Sequence, residues 1–323
     1  MDTVFSSSIA PSLNGFLAQK RSLGYKYETV EYVLHTLDRY WHDNNGNNTD
    51  ITEKNLEGWM QKKETETVAS RSSRVSVLRQ FTLYLNGIGE QAFIPMDKCI
   101  KSHPVFHVLT TTEIQELFQV IDTYSHRRRQ SSEVTRMIQE YKILFRLILC
   151  TGLRKSEALG LRLQDVNLSE NTVSIYQGKM RKDRLVYMSP DMSELISDYL
   201  KYLSRQIGNE PFWLFPSVDP AKHMSGGCAQ RFCDFWNMTP SALNCEKAPT
   251  IHSLRHTYVV MRMNQWMENG YDLRVMMPYL SRQLGHVSVD ETFYYYHQVI
   301  DAHRIIHQKD TLTSLVLPEV RVK

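Results

Sequence analysis

Residues 251–258 read IHSLRHTY, and this stretch places a histidine and an arginine three positions apart. Because side chains three apart lie on one face of a helix, His252 and Arg255 would point the same way. A guanidinium offers a planar fork of N–H donors that fits the oxygens of a phosphate, and an imidazole can transfer a proton. The pair therefore indicates phosphate chemistry, although an ordinary helix surface can carry the same two residues.

Three other segments strengthen this interpretation through their order along the chain. TGLRKSE at 151–157 puts Arg154 just after a predicted helix end, and GK at 178–179 opens a predicted hairpin tip. LGH at 284–286 is followed nine residues later by Tyr295, within the run FYYYH. Each segment alone is weak, since arginines usually form surface ion pairs and tyrosine runs usually pack. Their joint occurrence favours a single active site.

One reaction uses every member of this set. Arg154 and Arg255 can clamp one phosphate and neutralise the charge that develops as it reacts. A tyrosine hydroxyl attacks once a base accepts its proton, and a lysine or histidine can protonate the departing sugar oxygen. The product is a covalent phosphotyrosine that conserves the energy of the broken bond. The prediction therefore includes no cofactor, no metal and no nucleotide.

These segments resemble the catalytic boxes of the tyrosine recombinase family, which includes phage integrases and bacterial chromosome-dimer resolvases. The resemblance covers about residues 109 to 300 and implies an enzyme that breaks and rejoins DNA. It assigns the catalytic positions, in chain order, to Arg154, Lys179, His252, Arg255, His286 and Tyr295. Glu157 resembles the acid that braces the first arginine.

By the same resemblance, Tyr295 attacks a scissile phosphate that is held by Arg154, Arg255 and His286. A 3′-phosphotyrosine forms, Lys179 protonates the departing 5′-hydroxyl, and His252 assists proton transfer at the tyrosine.

Two of these assignments stay open. Tyr294 and Tyr296 flank the nucleophile, and only spacing selects the residue between them. Lys182 could replace Lys179 as the acid, because a hairpin tip is mobile. His256 and Tyr258 are interpreted as supporting or packing residues.

The predicted fold class is mainly α with a small β-sheet, in two domains. Residues 1–93 carry apolar side chains at helical spacing and predict a bundle of about four helices. Prolines interrupt the pattern over 94–108, which is predicted as a linker, and a mixed catalytic domain follows over 109–323. Alternating residues around 173–175 and 185–188 predict a hairpin with a basic tip. Later helices are predicted around 191–207, 227–237, 251–268, 273–283 and 289–297.

The net charge is only +3, so DNA affinity must come from local basic groups. The resemblance implies that the two domains close round duplex DNA as a C-shaped clamp, with the first as a core-binding domain. The predicted phosphate contacts in that domain are Lys20, Arg21, Lys26, Arg71, Arg74 and Arg79. The basic groups of the second domain are residues 126–129 and the hairpin residues Lys179, Arg181, Lys182 and Arg184.

The expected partner is double-stranded DNA. The resemblance implies four copies on two paired sites, with accessory proteins as a further option, and residues 300–317 would pack against a neighbouring copy. Five cysteines without a C-x-x-C pair indicate reduced thiols and a cytoplasmic protein. Without an apolar run of eighteen residues, no membrane span is expected.

Three other functions fit parts of the pattern. A type IB topoisomerase shares the chemistry but relaxes supercoils as a monomer, and the box order and chain size favour a recombinase. A DNA-binding protein that has lost catalysis would not need every catalytic position filled. A metal-dependent nuclease needs an acidic pair or a Cys/His cluster at ligand spacing, and the sequence contains neither.

Overall fold

The computed structural model describes residues 4–25, 27–96, 106–124, 131–176, 183–224, 226–286 and 288–295. The chain divides into two compact units, Met1–Pro104 and Val105–Lys323. The division falls within the stretch predicted as a linker. Residues 97–105 lie outside the described part of the chain, so the linker and the exact domain boundaries stay predictions.

Four helices make up the described part of the first unit: α1 (Ala10–Ser22), α2 (Glu28–Asn45), α3 (Glu53–Met60) and α4 (Val68–Gly87). Their apolar faces meet in one core, at whose centre Phe16, Trp41 and Phe81 are fully buried. Thr52 and Thr67 cap α3 and α4, because their hydroxyls accept bonds from the backbone N–H groups three residues on. The unit is the helical bundle that the apolar spacing predicts.

The second unit is also mainly helical. Its helices are α5 (Thr111–Thr123), α6 (Ser132–Thr151), α7 (Lys155–Leu159), α8 (Pro190–Ile207), α9 (Cys228–Trp236), α10 (Ile251–Glu268), α11 (Leu273–Leu284) and α12 (Asp290–Phe293). Its strands are β1 (Val166–Asn167), β2 (Thr172–Ile175) and β3 (Arg184–Tyr187), which form one antiparallel sheet in that order. The predicted fold class, mainly α with a small sheet, is confirmed.

Helix α6 is the centre of the second unit, since it packs against both α8 and α10. Its side chains Leu144, Phe145 and Leu147 are completely buried, as expected for a helix that is covered on most of its faces. Thr110 and Glu113 form the predicted capping box at the start of α5, with bonds of 3.2 and 2.7 Å between each side chain and the other's backbone. These helices give the site a rigid support.

The end of α6 fixes where the site can form. Gly152 follows the helix with φ +69°, a left-handed conformation that ends helices and suits glycine. A Cβ at this position would lie 2.5 Å from the Tyr258 ring on α10 and 2.8 Å from Leu284 at the end of α11. The missing side chain therefore lets three helices approach one another at one point.

The two strands of the predicted hairpin are confirmed. β2 pairs with β3 so that Val173 lies opposite Val186 and Ile175 lies opposite Arg184. The tip falls in residues 177–182, outside the described residues, so the places of Lys179 and Lys182 stay predictions. Among the residues that the structure describes, no helix combines the length and apolar character needed to cross a membrane.

Candidate active site

Arg255 ties together the segments that build the site. It lies in the second turn of α10, and its side chain is almost fully enclosed, with 1% of the residue exposed. Nη1 donates to the carbonyl oxygen of Gly152 at 2.6 Å, and Nη2 donates to that of Leu284 at 2.9 Å. One guanidinium thus holds the turn after α6 and the turn after α11 against α10.

Glu157 binds two more arginines, Arg154 and Arg184, close to the same turn. Its carboxylate accepts a bond from Nη1 of Arg154 at 2.9 Å and two bonds from Arg184, at 3.0 and 2.7 Å. Nη2 of Arg154 also reaches the carbonyl oxygen of Gly285 at 3.3 Å, while Nε of Arg184 donates to that of Gln283 at 2.8 Å. Arg154 is therefore oriented from both sides yet remains partly exposed.

His286 has both ring nitrogens in use. Nη2 of Arg255 lies 3.0 Å from Nε2, and because a guanidinium can only donate, Nε2 must accept. The proton of a neutral ring then sits on Nδ1, which lies 2.7 Å from Oγ1 of the buried Thr292 and donates to it. These two contacts fix the ring's orientation and assign its tautomer.

The Tyr295 hydroxyl meets a different histidine. Its oxygen lies 2.9 Å from Nδ1 of His256, and both side chains are buried. The Tyr295 ring lies parallel to that of His286, with centroids 6.4 Å apart. His252 contacts His256 and not the tyrosine, since its ring stands edge-on to that of His256 with centroids 4.5 Å apart. The tyrosine is thus surrounded by the histidines and arginines of the other segments.

Burial, and after it the positive charge of neighbouring groups, lowers the pKa of the basic residues in the site. Burial, reinforced by the nearby charge of Arg154, lowers the pKa of Arg255 to about 10. Burial together with His252 and Arg255 lowers the pKa of His256 to about 3. Loss of solvent and the charges of Arg255 and Arg154 also lower the pKa of His252. All three shifts lead to the same expectation, because a negative charge placed among these groups would stabilise their protonated, positively charged forms.

Burial acts oppositely on the tyrosine. It raises the pKa of Tyr295, and the charges of Arg255 and Arg154 only partly offset it. The phenol is therefore protonated at neutral pH and needs a proton acceptor before it can attack.

Residues 107–301 match the phage integrase family. The chain belongs to this family. The tyrosine recombinase resemblance that the sequence motifs carry is thereby confirmed.

Curated relatives and solved structures agree with the family. The chain is similar to the tyrosine recombinase XerD of Lacticaseibacillus casei, with 29% identity over 241 residues, or 72% of this chain and 74% of that protein. The putative integrase/recombinase y4rB of Sinorhizobium fredii is 24% identical over 303 residues, covering 90% and 92%.

The fold resembles the Tn1549 transposon integrase solved with transposon right end DNA, with a TM-score of 0.64, 15% identity and 92% and 98% of the chains covered. It also resembles a lambda integrase dimer bound to a core site, with a TM-score of 0.60, 15% identity and 96% and 99% covered. At these identities the likeness shows a shared fold.

The structure brings together most of the positions that the integrase motifs predict. Arg154, Glu157, Arg255, His286 and Tyr295 all lie around the turn that follows α11. His252 is exposed beside them, at the first turn of α10. Lys179, Lys182 and Tyr296 lie outside the described residues. The catalytic roles themselves stay predictions.

Two of the predicted DNA contacts need correction. Arg74 is buried and pairs with Glu66 at 2.8 Å. It also donates to the carbonyl oxygens of Trp59 and Gln61, so its guanidinium is bound inside the first unit and does not face DNA. Arg184 is not a basic residue of the hairpin surface, because Glu157 and Gln283 enclose it. Both arginines therefore stabilise the fold through enclosed ion pairs.

The other two arginines of α4 that were predicted to contact DNA are not buried. Arg71 and Arg79 are partly exposed, and each donates one bond to a backbone carbonyl, that of Met60 and that of Pro95 respectively. They keep their place as proposed DNA contacts.

Sequence reasoning gave His256 only a supporting or packing role, and it did not assign Arg184 or Thr292 to the site. For His256 a signal was present, since it follows His252 by four residues and so shares its helical face. Arg184 meets Glu157, which lies 27 residues away in the chain, so no local pattern shows this contact. Thr292 lies only six residues after His286, but no part of the motif indicated that its hydroxyl would meet the ring. Within the described residues, no group of three His, Cys, Asp or Glu side chains is placed to hold a metal ion.

Proposed function

We propose that this chain is a site-specific DNA recombinase that breaks and rejoins DNA through a covalent 3′-phosphotyrosine at Tyr295. The observation that carries the proposal is the placement of the buried Arg255 beside Arg154, next to the buried Tyr295 hydroxyl. Two like charges held together, one of them buried and the other partly exposed, raise the energy of the site until an anion enters. A phosphate of the DNA backbone is the anion that suits both guanidinium forks.

The proposed reaction assigns each group one task. Arg154 and Arg255 bind the non-bridging oxygens and stabilise the pentacoordinate phosphorus, with His286 held against Arg255. A neighbouring histidine, His252 or His256, takes the proton of the Tyr295 hydroxyl, and the Tyr295 oxygen forms the new bond to phosphorus while the bond to the 5′-oxygen breaks. Lys179, or Lys182, protonates the leaving oxygen. A 5′-hydroxyl of a second duplex then reverses the step and restores the tyrosine.

The partners follow from this function. We propose that both units contact double-stranded DNA as a clamp, that four copies act on two paired sites, and that residues 300–317 mediate contact between copies. Accessory proteins and a cytoplasmic location remain part of the same proposal. The DNA complexes of the structural neighbours support DNA as the partner, since the fold is shared with them.

A type IB topoisomerase is the second candidate, because the same residues would carry out cleavage and religation on one duplex. Relaxation of a supercoiled plasmid that lacks a paired site would favour it over a recombinase. Strand exchange between two linear duplexes, each with the mapped site, would favour the recombinase.

Covalent mapping tests the proposal directly. The full chain is incubated with sheared genomic DNA of its source and denatured, and DNA that stays attached to protein is recovered and sequenced. We expect a small set of attachment sites with the wild-type chain and none with Tyr295→Phe. Absence of attached DNA with the wild-type chain, or equal recovery with both, would contradict the proposal.

A further inference from the structure

The bond between His256 and Tyr295 gives the nucleophile a specific partner. Tyr295 Oη lies 2.9 Å from His256 Nδ1, within the range of a good hydrogen bond. Tyr295 is 6% exposed and His256 is 7% exposed, so water has little access to either. The catalytic oxygen is therefore bonded to a histidine that the family motif does not name as catalytic.

Packing fixes the direction of this histidine. Its ring lies flat on Phe106, with centroids 3.7 Å apart and planes 11° apart. On another side it meets the edge of His252, and Phe106 also contacts the Tyr295 ring with centroids 5.4 Å apart. Since the stack with Phe106 sets the ring plane, the in-plane lone pair of Nδ1 is held toward the phenol oxygen.

The charge state of the ring decides which atom donates. His256 has a pKa of about 3, because burial, His252, Arg255 and His286 all oppose its protonation. The ring is neutral at physiological pH, and the phenol of Tyr295 is protonated. With the ring proton on Nε2, Nδ1 accepts and Tyr295 donates, which is the geometry that precedes proton transfer.

We propose that His256, rather than His252, takes the proton of Tyr295 as the tyrosine oxygen attacks a DNA phosphate. The inference rests on the proposed function and names the proton acceptor of that reaction. The O–H bond of Tyr295 breaks, its proton moves to Nδ1, the oxygen forms a bond to phosphorus, and the 5′-oxygen leaves with a proton from the hairpin acid. In the reverse step, His256 returns the proton to the phenol.

The weak basicity of His256 in the protein without DNA is consistent with its role as the proton acceptor. The charged and titratable groups that face the pair are His252 and Arg255 on α10, His286 after α11, Glu291 on α12 and Arg154 at α7. Most of these carry or can acquire positive charge, and an incoming phosphate anion offsets it. Basicity of His256 therefore rises when DNA fills the site and stays low when the site is empty.

Single-turnover cleavage across pH tests the proposal. The substrate is a nicked duplex with the attachment sequence mapped for the wild-type chain, and the covalent adduct is measured from pH 6 to 9. His256→Asn keeps an amide near the position of Nδ1 that can accept a hydrogen bond but cannot take up a proton. We expect adduct formation at pH 7 to fall by about 100-fold or more, as for loss of a general base.

The pH profile separates proton transfer from mere support. In His256→Asn, solvent hydroxide must remove the proton, so the rate should rise about tenfold per pH unit, whereas the wild-type rate stays nearly level above pH 7. His256→Phe keeps the stack on Phe106 and should show the same slope if the asparagine variant folds poorly. The matched control is His252→Asn, which should keep the wild-type profile shape.

Three outcomes would overturn the inference. These are a His256→Asn rate within about threefold of wild type, a uniformly lower rate with an unchanged profile in both His256 variants, or the steep slope appearing in His252→Asn instead. All three require that the wild-type chain forms the adduct. If it forms none, the proposed function fails and not this inference alone.

Discussion

Arg184 donates two parallel hydrogen bonds to the Glu157 carboxylate, from Nη1 to Oε1 at 3.0 Å and from Nη2 to Oε2 at 2.7 Å. The same carboxylate holds Arg154. The first residue of the strand after the hairpin tip is thus joined, through one shared anion, to the arginine expected to bind the scissile phosphate. The fork–fork geometry sets direction as well as distance.

We expect Arg184→Gln to destabilise the fold by about 3 kcal/mol, because it leaves the nearly buried Glu157 with one cation instead of two. Covalent adduct formation should fall further than DNA binding, since Arg184 no longer positions the Glu157 carboxylate that orients Arg154. Thermal unfolding and adduct trapping measure the two effects. Arg205→Gln on the exposed face of α8 is the control and should change neither. A variant as stable and active as this control would contradict the bracing role.

The pH dependence of stability should report the same pair. Burial would raise the pKa of Glu157, but hydrogen bonds and charge from Arg184 and Arg154 outweigh it and lower the pKa below 4.5. A group with a lowered folded-state pKa stabilises the fold above its unfolded-state pKa, and this stability is lost as the pH falls toward the folded-state value. Denaturant unfolding of Glu157→Gln should therefore show a shallower loss of stability below about pH 4.5 than wild type. Identical slopes would show that the carboxylate does not contribute.

Tyr295→Phe should abolish the covalent adduct while site binding persists, because the ring remains and only the attacking oxygen is removed. Tyr294→Phe and Tyr296→Phe should still form the adduct, because both variants keep the Tyr295 oxygen that is predicted to attack. A nicked substrate traps the adduct as a slowly migrating band. A band from Tyr295→Phe together with none from Tyr294→Phe would move the nucleophile by one residue.

Cleavage should survive EDTA without added nucleotide. Arg154, Arg255 and the histidines would supply the charge and proton transfer that a metal supplies in other nucleases, and the phosphotyrosine would conserve the bond energy. The adduct yield is compared in EDTA and in magnesium. Loss in EDTA with recovery in magnesium would refute the metal-free reaction.

Gly152→Ala should destabilise the protein strongly. A left-handed φ already costs an alanine about 1 kcal/mol, and here the new Cβ would also lie 2.5 Å from the Tyr258 ring. Gly208→Ala is a matched control, since Gly208 also follows a helix at φ +79° but a Cβ there meets nothing within 4 Å. The difference between the two unfolding free energies isolates the packing part. Equal losses would mean that the three helices tolerate separation.

The sequence predicted the elements well because their signals are local. Apolar spacing located α8, α10 and α11 within a residue or so of their ends, and alternation located the strands β2 and β3. The motif spacing also selected Arg154, Arg255, His286 and Tyr295, which the fold does bring together.

The remaining features depend on contacts between distant segments. A basic residue on a predicted helix looks like a surface cation, but the loop before α4 brings Glu66 onto Arg74 and removes it from solvent. The same holds for Arg184, whose partner lies 27 residues away in the chain. The preference of the Tyr295 oxygen for His256 over His252 depends on side-chain directions that spacing alone does not resolve.

The enclosure of Tyr295 bears on how faithfully DNA targets are chosen. An oxygen in a residue that is 6% exposed must be uncovered before a phosphate comes within about 3.5 Å of it. The work of uncovering it has to come from contacts with the duplex. Under the proposed function, a sequence that binds through its backbone alone would supply less of that work and would be released uncut. Shielding of the phenol would then act as a second checkpoint after binding.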